Sequence, residues 1–280
     1  MFGSRWPLFC LPILLAASVC GSDILMITMG GTKSHKMPFW ELSRGLITRG
    51  HNITLISAFP PDFFIEGLEE IAPERMVSYV RSFMTMDLVG ARMRGEEPIS
   101  IKDVIRHSYE ICDAFYNDPE IRSLISSGRT YDLIVLDGSF SECTMGIVYH
   151  MKRPFIFINT VGFLVTAISN SGSPTPYSVT PFFGRAYTDN MGLIDRTLNA
   201  ATHIIINAIH WFMMMRVEGI LRQNFGSQFP YIHDMTKNVS FILQIGYHSV
   251  TYPRAYLPNV AEVGCIHCKD PKPLTSVSTH

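Results

Sequence analysis

Apolar runs of strand length alternate along this chain with segments whose apolar residues recur at helical spacing. The run 24–29 is continuously apolar apart from one threonine and leads into Gly30-Gly31, which predicts a strand buried on both faces and then a turn. A helix follows, with Pro38 in its expected first turn and Gly50 after its last. Residues 53–57 form the next predicted strand, so the chain opens with a βαβ unit.

The same alternation returns further along the chain. Ser100 and Asp118 each stand where a side chain can cap a helix. Residues 133–136 predict a buried strand, 142–150 a helix and 155–158 another strand. Together these elements predict an α/β fold with a Rossmann-like, doubly wound, mostly parallel sheet. Functional sites in such sheets lie at the carboxyl ends of the strands.

The middle of the chain departs from this regular pattern. Residues 172–187 are rich in Gly, Pro, Ser and aromatic residues, which predicts a long loop over a site or interface. Residues 193–225 read as one long apolar helix. Its most apolar stretch, 204–215, is shorter than the roughly 20 residues that span a bilayer and is interrupted by Asn207 and His210. We therefore expect no transmembrane helix in this chain.

The amino-terminal residues predict a targeting signal. Arg5 precedes the apolar stretch 6–17, and small residues follow, as in a cleavable secretory signal peptide over residues 1–22. This signal predicts a protein of the endoplasmic reticulum lumen or a secreted one. Residues 23–270 would form one Rossmann-like domain, and 271–280 a linker or tail.

Composition and charge exclude several classes of function. The net charge of the 280 residues is −1 with no long run of one sign, so a nucleic-acid partner is not expected. The G-x-G-x-x-G spacing of dinucleotide-binding proteins is absent, and so is the G-x-S-x-G elbow of many serine hydrolases. We predict neither a bound cofactor nor a metal ion.

One cysteine pair has the spacing used by zinc and redox sites. Cys265 and Cys268 form a C-x-x-C motif, but a zinc site needs a second ligand pair and none stands at usable spacing. A disulfide or a partly buried thiol pair is therefore favoured over a metal or redox role.

Two predicted loops at strand ends carry groups capable of proton transfer. Ser34-His35 follows the first strand and Asp137 ends the later strand. Both loops open on the same rim of the predicted sheet, so the imidazole could accept a proton from a hydroxyl while the carboxylate holds its tautomer. A histidine beside a helix start is more often a structural hydrogen-bonding group, so both interpretations stay open on spacing alone.

Three stretches resemble the animal UDP-glucuronosyltransferase and UDP-glucosyltransferase family. They are Gly30 to Leu42 with the following Arg49 to Thr54, then Tyr131 to Asp137, and the carboxyl-terminal run from Tyr252 to Gly264. Each stretch is modest by itself, but their order and spacing are specific. The resemblance extends to about Pro273.

This resemblance implies the amino-terminal, acceptor-binding half of a GT-B fold. His35 would be the general base that deprotonates a small lipophilic acceptor, and Asp137 would orient it and balance its charge. The acceptor oxygen would then attack the sugar of a UDP-sugar with inversion. The residues that the resemblance suggests for acceptor binding are Ser34, Phe64, Phe83, Met84, Phe182, Phe183 and Met213.

The sequence also departs from the family pattern. The carboxyl-terminal UDP-sugar signature and the membrane anchor that follows it do not occur in these residues, so we expect a UDP-sugar to bind only with a carboxyl-terminal domain and the isolated chain to be inactive. An alternative function is a non-catalytic subunit that binds small lipophilic molecules or regulates full-length relatives in a homo- or hetero-oligomer.

Two N-glycosylation sequons occur, at Asn52 and Asn238. Asn52 opens a predicted buried strand and is expected to be protected, so Asn238 is the favoured site.

Overall fold

The computed structural model describes residues 21–85, 87–96, 99–139, 141–161, 168–169, 171–182, 185, 187–188, 190–247, 251 and 254–269. The predicted signal peptide lies outside this range up to residue 20, and the predicted tail 271–280 lies wholly outside it.

The described residues form seven strands and eight helices. The strands are β1 (Asp23–Thr28), β2 (Asn52–Ser57), β3 (Leu68–Ile71), β4 (Leu133–Asp137), β5 (Phe155–Asn159), β6 (Phe241–Ile245) and β7 (Val260–Val263). The helices are α1 (Lys33–Ile47), α2 (Glu74–Phe83), α3 (Leu88–Met93), α4 (Ile101–Tyr116), α5 (Pro119–Ser126), α6 (Met145–Met151), α7 (Leu193–Phe225) and α8 (Ile232–Thr236).

The seven strands form one sheet in the order β3-β2-β1-β4-β5-β6-β7, and every neighbouring pair is parallel. The predicted doubly wound α/β class is confirmed. The strand order reverses between β1 and β4, which pair directly. The carboxyl ends of these two strands therefore define the crevice in which such sheets bind ligands.

Alternate residues of the central strands enter two separate cores. Ile24 and Met26 of β1 pack with Phe39 and Trp40 of α1 on one face of the sheet. Leu25, the residue between them, joins the larger core on the other face. A strand covered on both faces is apolar over most of its length, which is why the apolar runs predicted these strands.

Two of the predicted helix starts are confirmed, and a third, that of α1, was misplaced. Ser100 Oγ accepts a hydrogen bond from Asp103 N at 3.2 Å, and Asp118 Oδ1 accepts one from Glu120 N at 2.9 Å, so both predicted caps are confirmed. The placement of Pro38 in the first turn of α1 is wrong, because that helix already begins at Lys33 and Pro38 lies inside it.

Helix α7 runs without interruption over all 33 predicted residues, from Leu193 to Phe225. It is long and apolar enough to cross a membrane by length and composition, and 22% of its most apolar window is buried. One segment thus passes this test, contrary to the sequence analysis, because the apolar stretch extends well beyond 204–215. The expectation that no helix of this chain crosses a membrane stays a prediction. The carboxyl-terminal part of α7 nevertheless packs into the larger core through Met214, Val217 and Leu221.

Two disulfides occur in the described chain. Cys112 of α4 is bonded to Cys143 in the loop before α6, a pairing that the sequence analysis did not anticipate. Cys265 is bonded to Cys268, as one of the two predicted alternatives has it, but both cysteines are exposed rather than partly buried.

Both sequons lie at exposed positions. Asn238 is exposed just before β6. Asn52 is also exposed, contrary to the expectation of protection, because it is the first residue of β2 and the buried part of the strand starts one residue later. Its amide donates to Asp23 Oδ1 at 2.9 Å.

Candidate active site

His35 and Asp137 meet at the point where the strand order reverses. His35 lies in the first turn of α1, just beyond the end of β1, and Asp137 is the last residue of β4. His35 Nδ1 lies 2.9 Å from Asp137 Oδ2, so the predicted proximity is observed. The Asp137 side chain is 1% exposed and that of His35 12%, which leaves the imidazole as the accessible member of the pair.

Asp137 is surrounded by hydrogen-bond donors. Its Oδ1 accepts from Ser139 N at 3.0 Å and from Thr160 Oγ1 at 2.9 Å. Its Oδ2 accepts from Thr28 Oγ1 at 3.4 Å, in addition to the contact with His35. Each of these three groups donates, so both oxygens of Asp137 act as acceptors.

This arrangement fixes the tautomer of His35. Because the Asp137 oxygens accept, His35 Nδ1 has to carry the proton and donate it. Thr160 Oγ1 lies 2.7 Å from the same nitrogen, and since its own proton is directed to Asp137, its lone pair faces Nδ1–H. Nε2 then carries the lone pair, which makes His35 a proton acceptor oriented by a buried carboxylate.

Gly31 determines how closely the first loop approaches the imidazole. Its backbone has φ +72°, in the left-handed region that favours glycine. A Cβ at this position would lie 2.6 Å from both Cδ2 and Nε2 of His35. The loop therefore needs glycine both for its conformation and for access to the basic nitrogen.

A buried ion pair anchors α1 next to the catalytic candidate. Lys36 is 1% exposed, and its Nζ donates to Glu70 Oε2 at 2.6 Å and to the Phe59 carbonyl at 2.8 Å. Trp40 Nε1 donates to the other oxygen of Glu70 at 2.5 Å. This network, which the sequence analysis missed, joins the first turns of α1 to the end of β2 and to β3.

The residues suggested for acceptor binding do not converge on one pocket. Phe83 stacks on His107 with ring centroids 4.4 Å apart, beside Met84 at the end of α2. Phe182 makes an edge contact with His203 of α7 at 5.3 Å. Phe64 is 84% exposed after β2.

The remaining candidates lie in further places. Ser34 is exposed and contacts Thr32 at the start of α1, and Met213 is half-buried on α7. Phe183 lies outside the described residues. A groove of about 380 Å³ includes Phe64, whereas a larger one of about 620 Å³, bounded by α2, α4 and α7, includes none of the candidates. Their role in acceptor binding stays a prediction.

The other histidines have structural contacts of their own. His51 Nδ1 accepts from Ser22 N at 3.1 Å, and His203 Nε2 lies 3.1 Å from the Thr180 carbonyl. His210 Nε2 lies 2.6 Å from Glu142 Oε1. Burial opposes protonation of His210, but the hydrogen bond and negative charge of Glu142 outweigh it and raise the pKa of the imidazole.

Comparisons with known proteins agree on one family. A sequence model of the UDP-glucuronosyl and UDP-glucosyl transferase family matches residues 25–279. UDP-glucosyltransferase 2 of Dactylopius coccus is 25% identical over 238 residues, which are 83% of this chain and 45% of that protein. UDP-glucuronosyltransferase 3A1 of Xenopus laevis is 23% identical over 265 residues, which are 91% of this chain and 50% of that protein.

Solved structures give a weaker likeness. The kitacinnamycin glycosyltransferase matches 80% of this chain and 45% of its own, with a TM-score of 0.40 and 14% identity. The chain spans about half the length of the curated relatives it matches.

Proposed function

The chain belongs to the UDP-glucuronosyl and UDP-glucosyl transferase family, and on that premise we propose that it supplies the acceptor-binding, proton-accepting half of a UDP-glycosyltransferase. The observation that carries the proposal is the 2.9 Å contact between His35 Nδ1 and Asp137 Oδ2 at the reversal point of the sheet. The doubly wound parallel sheet is the Rossmann-like architecture that the resemblance implied.

In the proposed reaction, Nε2 of His35 takes the proton of an acceptor hydroxyl as its oxygen attacks the anomeric carbon of a UDP-bound hexose or glucuronic acid. The new carbon–oxygen bond forms on the face opposite to UDP. The bond from the anomeric carbon to the phosphate oxygen breaks with its electron pair, so the configuration inverts and UDP leaves. The proton on His35 then passes to solvent.

Asp137 would stabilise the imidazolium that forms during this step. It lies 1% exposed, where its charge is poorly screened, and it bonds to the nitrogen opposite the one that receives the proton. General-base catalysis of this kind contributes about 100- to 10,000-fold to the rate. His35 and Asp137 thus have separate roles, with His35 as the catalytic residue and Asp137 as the positioning residue.

We further propose that the acceptor is a small lipophilic alcohol or phenol. Exposed aromatic side chains support this: Phe63 and Phe64, in the connection between β2 and β3, are 50% and 84% exposed. Phe63 stacks on Trp40 of α1 with centroids 4.3 Å apart. A UDP-sugar would require a carboxyl-terminal half such as the additional length of the relatives provides.

The secretory pathway is the proposed compartment. The two disulfides support it, because disulfides persist in oxidising compartments and are rare in the cytosol. Glycosylation at the exposed Asn238 would agree with this placement, and a mass increase that is removed by a glycosidase would test it.

A complementation assay tests the proposed function. The purified chain alone is expected to bind 4-nitrophenol in calorimetry and to give no turnover with UDP-glucose or UDP-glucuronate. The same chain joined at residue 271 to the carboxyl-terminal half of a relative, such as UDP-glucosyltransferase 2 of Dactylopius coccus, is expected to form a β-linked product. Turnover by the chain alone, or a fused protein that folds and binds UDP but forms no product, would contradict the proposal.

A further inference from the structure

The two disulfides of the described chain differ in their access to solvent. Cys112 and Cys143 are 0% and 4% exposed, and their bond joins positions 31 residues apart across the larger core. Cys265 and Cys268 are both exposed, 3 residues apart, in the turn directly after β7. A thiol in solution can reach the second disulfide without any opening of the fold.

An imidazole stands beside the exposed disulfide. His267 lies within the C-x-x-C motif, and its Nε2 is 3.7 Å from Cys265 Sγ. A histidine at this distance stabilises a thiolate at Cys265, both as a hydrogen-bond donor and, when protonated, as a positive charge. In the exposed disulfide, Cys265 is therefore the cysteine whose thiolate is stabilised by a neighbouring histidine.

We propose that Cys265, His267 and Cys268 form a thiol–disulfide exchange site that reacts with small thiols. The inference is independent of the proposed transferase function, since none of these residues contributes to the His35 network. The lack of a second cysteine pair at usable spacing weighs against a metal site, but exchange requires only one accessible disulfide and an external thiol.

The exchange takes place in two balanced steps. A thiolate attacks Cys268 Sγ, the bond between the two cysteine sulfurs breaks, and Cys265 leaves as a thiolate beside His267. A second thiolate then attacks the sulfur of the first thiol in this mixed disulfide, which releases Cys268. Two small thiols are oxidised to one disulfide, and the protein disulfide is reduced to two thiols.

The position of His267 predicts the direction of attack. Exchange is faster when the departing sulfur forms the more stable thiolate. Cys265 is the sulfur next to the imidazole, so attack at Cys268 is favoured over attack at Cys265.

Graded reduction of the purified full chain tests this proposal, with the buried disulfide as an internal reference. Folded protein is incubated with increasing reduced glutathione, quenched with acid, alkylated and analysed by peptide mass spectrometry. We expect half-reduction of Cys265–Cys268 at a glutathione concentration at least about tenfold below that for Cys112–Cys143. Equal concentrations for the two pairs, or reduction of Cys265–Cys268 only upon unfolding, would overturn the proposal.

Two pairs of variants test the role of the histidine. The reduction rate of Cys265–Cys268 should fall about threefold in His267→Gln, whereas His233→Gln, an exposed histidine on α8, should leave it unchanged. Cys265 in the Cys268→Ser variant should react faster with iodoacetamide than Cys268 in the Cys265→Ser variant. Equal rates in either comparison would show that His267 does not stabilise the Cys265 thiolate and is not part of the site.

Discussion

Thr160 contacts the proposed proton-transfer pair, and no pattern in the sequence identified it. Its hydroxyl lies 2.7 Å from His35 Nδ1 and 2.9 Å from Asp137 Oδ1, so it touches both members of the pair. It is the first residue after β5, the strand next to β4. Its role in the proposed reaction is to fix the orientation of the imidazole relative to the carboxylate.

Replacement of Thr160 by valine removes this hydroxyl while it preserves the branched shape. We expect Thr160→Val to lower kcat of the fused transferase about tenfold, because a hydrogen bond to a charged group contributes about 1.5 kcal/mol. Thr160→Ser keeps the hydroxyl and should retain most of the rate. An equal loss of kcat in both variants at unchanged melting temperature would show that the Thr160 hydroxyl does not contribute to the rate.

His107 predicts a dependence of stability on pH. The side chain is 4% exposed between Tyr79 and Phe83, and burial lowers the pKa of its imidazole to about 4. In the unfolded chain the pKa of this imidazole is about 6.5. At a pH between about 4 and about 6.5, the unfolded chain therefore binds a proton that the native state does not. The stability contributed by neutral His107 is therefore lost as the pH falls through this window, by about 3 kcal/mol in total.

A comparison with His107→Phe isolates this contribution, since phenylalanine keeps an aromatic ring in the stack and cannot titrate. Urea unfolding at pH 7, 5.5 and 4.5 should show a steeper loss of stability for the natural protein than for the variant. Parallel curves would show that His107 does not titrate in this way.

The first helix is held by charge as well as by packing. Lys36 and Glu70 are paired at 2.6 Å with side chains that are 1% and 8% exposed. Lys36→Met leaves the Glu70 carboxylate buried without its partner and should cost about 3–5 kcal/mol of unfolding free energy. Glu70→Gln in the same protein neutralises that carboxylate while keeping an acceptor for Trp40, so the double variant should recover much of the loss. Additive losses in urea unfolding would refute this coupling.

Before Met214, Val217 and Leu221 enter the larger core, helix α7 buries polar side chains and exposes apolar ones. Its buried face carries Asn199, which is 0% exposed, and His203. Its solvent face is apolar, with eight large side chains at least 41% exposed: Leu193, Ile194, Leu198, Ile204, Ile205, Trp211, Phe212 and Met215. The buried polar groups bind the preceding loop, since Asn199 bonds to the carbonyls of Tyr177 and Thr180 and accepts from Phe182 N.

This reversal predicts opposite outcomes for substitutions on the two faces of α7. Asn199→Ala leaves three loop backbone groups without their partner and should cost about 2–4 kcal/mol. Ile205→Glu on the exposed face should change stability by no more than about 0.5 kcal/mol. Thermal unfolding of both variants checks this, and a large loss for Ile205→Glu would show that the outer face is packed.

For the molecule as a whole, hydrophobic pattern and strand-end chemistry predicted four of the seven strands and the contact between His35 and Asp137. Mostly apolar runs predicted β1, β2, β4 and β5, because strands covered on both faces carry few polar residues. The rule that ligands bind at the carboxyl ends of strands was sufficient to bring His35 and Asp137 together.

The supporting residues were missed for physical reasons. Lysine is almost never fully buried, so Lys36 gave no signal except its helical spacing to Phe39 and Trp40. A lone threonine after a strand, such as Thr160, carries no pattern of its own. The exposed face of α7 could not be assigned from periodicity, because 197–215 contains no Asp, Glu, Lys or Arg to mark the solvent side.

The proposed roles of His35 and Asp137 are tested most directly by a double-mutant cycle on these two residues in the fused transferase, with kcat as the readout. Each of His35→Ala and Asp137→Ala should lower kcat by about 100- to 10,000-fold, and the double variant should be no slower than the slower single variant, because the two groups act on one proton transfer. His51→Ala serves as the control and should retain full activity. If the double variant loses the product of the two single losses in kcat, or if the single variants keep the natural kcat, the two residues do not act together on one proton transfer.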